Sequence, residues 1–121
     1  MPFFRFHQLS NSFRYAFRGL KYVVLQEQTF RIHIFASLVV VGLMLFLHVT
    51  LKEAVVLFLV IASVLVLELI NTIFESLVDM LQPRIHHLAQ VIKDIMAAAV
   101  LVASVSALII GVLIFFPYIF K

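Results

Sequence analysis

A chain of 121 residues that is 64% hydrophobic and only 12% charged is too apolar for a soluble domain of its size, where about half and about a quarter are usual. The absence of cysteine excludes disulfides, thiolate catalysis and cysteine-based metal sites, which leaves carboxylates, histidines, Lys93 and hydroxyls as the available chemistry. The net charge of +3 does not imply nucleic acid, because the basic residues flank apolar segments and no RNA or DNA module is present.

About thirty mixed aromatic and basic residues come first, unlike a secretory signal, so the first apolar segment is expected to be retained. Within this arm Phe6, Leu9, Phe13, Phe17, Leu20 and Val24 recur every three or four residues, while Arg14, Arg18 and Lys21 form another face. That pattern predicts an amphipathic surface helix over about 6–27, anchored on anionic lipid, with substrate gating as its other possible role.

Three apolar segments follow: Ile32 to Leu47, Ala54 to Leu67 with a polar continuation to Leu81, and Ile95 to Phe116. A hydrocarbon core needs ~20 helical residues. The expected fold is therefore all-α and integral to the membrane, one domain over 1–121, with spans at about 30–49, 54–81 and 90–116. The links are HVTLKE (His48 to Glu53) and QPRIHHLAQ (Gln82 to Gln90), where Pro83 should stop or kink the helix. Arg5, Arg14, Arg18, Lys21, Arg31, Arg84 and Lys93 lie on one side of the spans, and only Lys52 and Lys121 on the other. This bias predicts a cytoplasmic N-terminus and an outer C-terminus.

The chemistry concentrates in LELINTIFESLVD, Leu67 to Asp79. At 100° per residue, Glu68, Asn71, Glu75 and Asp79 share a stripe about 80° wide over three turns. Three of the six acidic residues of the chain are here. Centring the turn near Arg84 and His86 makes Asp94 level with Glu75, with Lys93 adjacent and Glu68 roughly 10 Å deeper.

Carboxylates within ~6 Å of one another in low dielectric cannot all stay ionised without protons or a cation. Mg²⁺ suits such a set, since it takes one or two carboxylates and completes its octahedron with water and nucleotide phosphates, to which Lys93 could add a point charge. The competing reading is that Asn71, Thr72 and Ser76 seal a helix contact, that Asp79 is a solvated helix end, and that His86 and His87 are solvated turn residues. Glu68 resists that reading, because an acid in mid-span costs several kcal/mol on insertion scales. With three glycines, Gly19, Gly42 and Gly111, no Walker or kinase-type glycine loop can form.

ELINTIFESLVD followed by HHLAQVIKD and AAAVL resembles the small bacterial membrane lipid kinases, the diacylglycerol kinase and undecaprenol kinase family, and SFRYAFRGL, Glu27 and RIH align in order before it. The resemblance implies a homotrimer of three-span subunits in the bacterial inner membrane, phosphorylating a lipid hydroxyl with Mg-ATP at sites between subunits. It implies that Glu68 is the general base, that Glu27 and Glu75 are metal and ATP ligands, and that Asn71, Asp79, Lys93 and Asp94 are polar site positions. Tyr15 and His86 match nucleotide-contacting positions. Two departures stand out: Ile95, Met96 and Ala97 follow Lys-Asp where the diacylglycerol kinase pattern has a Gly-Ser pair, and His33 replaces a carboxylate. The first removes any lipid contact from that serine hydroxyl, and the second resembles the undecaprenol branch and inclines the expected substrate slightly toward a polyisoprenol. The rival functions are an ion- or proton-conducting protein and a non-enzymatic assembly subunit. The relay is disfavoured because the acid ladder stops at Glu68, and the assembly subunit because it gives no reason to gather Glu27, Glu75 and Asp94 with Lys93.

Overall fold

The computed structural model describes residue 3 and residues 5–81 and 86–121, the side chain of His86 excepted. These form α1 (Phe6–Gln26), α2 (Gln28–Leu47), α3 (Leu51–Leu81) and α4 (His86–Ile119). α2, α3 and α4 are each long and apolar enough to cross a membrane. The chain is thus a multi-pass membrane protein, with α1 as the one helix outside that set among the described residues. At 1.5 Å per residue α3 is about 46 Å long, more than the ~30 Å hydrocarbon core, so its polar end can project into the interface.

Burial follows from this solvent. The core is a thin seam that includes Phe30, Leu57, Val64, Val78, Ala89 and Phe115, whereas Phe35, Phe46 and Phe58 lie largely exposed. In water such a surface would drive aggregation, but lipid tails are as apolar as the side chains themselves. The most extensive helix contact joins α3 to α4, and α2 packs on α3 over a smaller area.

Three local devices set the helix ends. Glu27 is extended (φ −113, ψ 109) and is both the last cap of α1 and the first cap of α2. Its N–H donates to the Val23 carbonyl at 2.8 Å, and its own carbonyl accepts from the Arg31 N–H at 3.3 Å. Arg31 then reaches back across this elbow, donating from Nη1 to the carbonyls of Val24 at 2.7 Å and Leu25 at 3.1 Å. Those are carbonyls the end of α1 leaves without helical partners.

α2 ends at His48, whose left-handed conformation (φ 52) is the only one of its kind among the described non-glycine residues. α3 begins at Leu51, earlier than the apolar run beginning at Ala54 suggests. The reason is a capping box: Thr50 N–H donates to Glu53 Oε1 at 3.0 Å, and Glu53 N–H donates to Thr50 Oγ1 at 3.2 Å. The link between α2 and α3 shortens to residues 48–50. Pro83 and Arg84 lie outside the described residues.

The α3–α4 register is fixed at both ends. Lys93 Nζ meets Asp79 Oδ1 at 2.6 Å, each seven residues from position 86. Far along the same pair, the Tyr118 hydroxyl donates to Glu53 Oε1. Positions equidistant from residue 86 therefore face each other, which sets Glu75 level with Ala97, Asn71 with Leu101 and Glu68 with Ser104. The expected level of Asp94 with Glu75 is corrected by three residues, to Ala97, because the pairing is symmetric about residue 86 and each shift of that centre counts twice in the partner position.

Candidate active site

A crevice of ≈ 440 Å³ opens between α2, α3 and α4, and its polar lining comes from Glu27, Thr29, His33, Glu68, Asn71, Glu75 and Ser104. The helical repeat of α3 supplies Glu68, Asn71 and Glu75 as one stripe. The elbow supplies Glu27, since the single extended residue that breaks the helix turns its side chain to the crevice. Apolar Ala97, Val100 and Leu101 of α4 form the opposite wall.

Glu68 is the deepest acid, with 3% of its surface exposed. His33 Nε2 stands 3.1 Å from Glu68 Oε1, within ion-pair distance, yet Oε1 has no hydrogen bond of full geometry. The distance shows proximity, and the contact falls short of a full hydrogen bond. Thr72 Oγ1 donates to the Glu68 backbone carbonyl at 3.1 Å, which holds the helix turn and leaves the carboxylate alone. Asn71 Nδ2 reaches Glu75 Oε1 only at 3.4 Å, and Asn71 Oδ1, buried, has no partner. Buried polar atoms are ordinarily paired, and an orphan costs roughly 1–3 kcal/mol. Glu68 and Asn71 both carry one, and both point to a polar ligand.

The remaining sequence-predicted residues divide. Lys93 and Asp79 form their ion pair beyond Glu75, with Asp79 mostly exposed. Asp94 is exposed and accepts from Gln90 Nε2 at 2.9 Å, outside the crevice lining. Tyr15 lines a different groove, between α1 and α3 beside Gly19, Val23, Leu69 and Ile73, with the Arg18 guanidinium 5.6 Å from its ring centroid. The side chain of His86 lies outside the described residues. In the sequence His33 stands out only as a departure from a family carboxylate, and Ser104 is not singled out there. The departure of His33 from the carboxylate pattern was the one available signal.

The donor set can be tested against a metal. Among the described residues no three of His, Asp and Glu converge as a complete metal site. Two carboxylates on one crevice, Glu27 and Glu75, with no stronger internal partner than a 3.4 Å contact, do fit Mg²⁺, which binds through one or two carboxylates and keeps water and phosphate for the rest.

Comparison with known proteins places the chain in a family. Residues 14–115 match the family model described as prokaryotic diacylglycerol kinase. A diacylglycerol kinase of Synechocystis sp. is 39% identical over 107 residues, which cover 88% of this chain and 61% of that protein, so the chain spans about three fifths of its length. The undecaprenol kinase of Bacillus subtilis is 37% identical over 106 residues, covering 88% of this chain and 86% of that protein. A diacylglycerol kinase of Haemophilus influenzae is 31% identical over 109 residues, covering 89% and 92%. The chain belongs to the prokaryotic diacylglycerol kinase family and is, with it, an ATP-dependent kinase acting on a lipid alcohol.

Proposed function

We propose that the crevice between α2, α3 and α4 is where the γ-phosphoryl group of ATP passes to the hydroxyl of a membrane lipid, with Glu68 as general base. The observation that carries this reading is the carboxylate of Glu68 itself: 3% exposed, set in an apolar helix, and lacking a full hydrogen bond on Oε1. The lipid O–H proton moves to Glu68, the O–P bond forms, the bond from the γ-phosphorus to its bridging oxygen breaks, and ADP leaves. Phosphoryl transfer passes through a loose transition state, so positioning and charge neutralisation supply most of the catalysis.

Glu27 and Glu75 would hold Mg²⁺, which supplies charge neutralisation on the phosphates. Asn71 orients Glu75, and His33 orients Glu68. Lys93, released from Asp79, and the neighbouring Asp94 line the nucleotide approach, to which Tyr15 and His86 belong by resemblance. The protein works as a homotrimer, with the N-terminus and the crevice toward the cytoplasm and the C-terminus outside. α1 lies on the cytoplasmic leaflet. The acceptor is diacylglycerol or undecaprenol, and His33 in place of a carboxylate favours undecaprenol slightly.

The test is transfer of labelled γ-phosphate from ATP to each lipid by purified protein in vesicles. Glu68→Gln is expected to lower turnover by about 10²- to 10⁴-fold, the contribution of a general base, while keeping the oligomer. Full activity in that variant removes Glu68 from the chemistry.

A further inference from the structure

The polar crevice abuts a second cavity of ≈ 350 Å³, walled mostly by apolar side chains such as Val40, Leu57, Ile61 and Leu108, and the two share His33 and Ser104. His33 is engaged with Glu68. Ser104 is not engaged with anything: its Oγ is buried and has no hydrogen-bond partner.

A hydroxyl in a helix can return its proton to the carbonyl one turn back. Ser12, Ser37, Ser63 and Thr72 all do so, at 3.0, 2.7, 2.7 and 3.1 Å. Ser37, which also borders the apolar cavity, is thereby committed to the His33 carbonyl. Ser104 alone keeps a free donor where the two cavities join, and the α3–α4 register places it level with Glu68. Leaving it unpaired costs free energy that a ligand oxygen would recover.

The ligand that fits both cavities has one oxygen at the junction, hydrocarbon on one side and a phosphate donor on the other. We propose that Ser104 binds the lipid acceptor: its Oγ–H donates to the alcohol oxygen, that alcohol's own O–H donates to Glu68, and the first stretch of hydrocarbon occupies the apolar cavity. The inference rests on the lipid-kinase reading above and adds to it a substrate-binding residue on α4. An alcohol oxygen has two lone pairs. With one held by Ser104 and the proton held by Glu68, the other is left to face the incoming phosphorus, which is the orientation an in-line displacement requires. During transfer the proton goes from the alcohol to Glu68, and the Ser104 proton stays where it is.

Steady-state kinetics in phosphatidylglycerol vesicles, with undecaprenol and dioleoylglycerol assayed separately, provide the test. In Ser104→Ala the KM for the lipid alcohol is expected to rise about threefold to tenfold, the worth of one hydrogen bond, with the KM for ATP unchanged. Ser104→Thr should restore it and the equally shaped Ser104→Val should not, a contrast that survives any packing defect of the alanine variant. Gly111→Leu fills the apolar cavity where an added Cβ meets no atom within 4 Å, and should raise the lipid KM as well. An unchanged lipid KM in Ser104→Ala and Ser104→Val, or an equal rise in the KM for ATP, overturns the assignment while leaving an active wild-type kinase. A wild-type protein that phosphorylates neither lipid overturns the lipid-kinase reading and the role of Ser104 with it.

Discussion

Two glutamates of α3 stand fifteen residues apart and have opposite surroundings. Glu53, at the first turn, is well supplied with donors: the Thr50 N–H and hydroxyl lie at 3.0 and 3.1 Å from Oε1, and the Tyr118 hydroxyl of α4 donates to the same oxygen. Glu68, in mid-helix, has one histidine at ion-pair distance and an Oε1 without a full hydrogen bond. The first carboxylate has its donors within the fold and ties two helices together. The second is placed where an acid costs ~2.5–3.5 kcal/mol to insert and is left incompletely satisfied. Residue type and helix are the same, so the difference in role comes from the partners.

The sharpest way to break this contrast is paired substitution. Glu68→Gln should nearly abolish phosphoryl transfer, whereas Glu53→Gln should leave turnover within about twofold and lower stability by ~1 kcal/mol through the weakened cap. Comparable losses of activity in both would show that the far end of the helices is also catalytic. Glu75→Gln comes next: losing a charged phosphate-side ligand is expected to raise the Mg²⁺ concentration for half-maximal activity by about tenfold or more. A Mg²⁺ titration unchanged from wild type would take Glu75 out of the metal site.

Smaller effects test the structural half. Arg31→Met leaves the Val24 and Leu25 carbonyls without their charged donor, and should cost ~1–2 kcal/mol in detergent unfolding together with a weaker response to ATP, because Glu27 sits at that elbow. Tyr118→Phe removes one hydrogen bond to Glu53, so a loss of ~1 kcal/mol with unaltered kinetics is expected. Altered kinetics in Tyr118→Phe would mean that the outer latch communicates with the crevice.

Periodicity made much of this legible. The arm pattern from Phe6 to Val24 and three long apolar runs suffice to foresee α1 to α4, because helix length and face are local properties. The stripe of Glu68, Asn71 and Glu75 followed from 100° per residue, and the structure sets these three on one crevice. The meeting of His33 with Glu68 was not legible, since it depends on how α2 is rotated against α3. The pairing of Lys93 with Asp79, and the exclusion of Asp94, turned on a register that moves two residues for every one that its centre moves. Ser104 was hidden for a related reason: a serine in an apolar run looks like a helix-packing residue until its missing hydrogen bond is seen.

The elbow at Glu27 has a consequence for how this chain tolerates change in length. Only one residue separates α1 from α2, and it is itself a crevice residue. Adding or removing a single amino acid there would rotate one helix against the other by about 100° and carry either the carboxylate or the Arg31 lock out of position. The three-residue link at 48–50 has slack that this joint lacks. Insertions should therefore be accepted between α2 and α3 and rejected between α1 and α2.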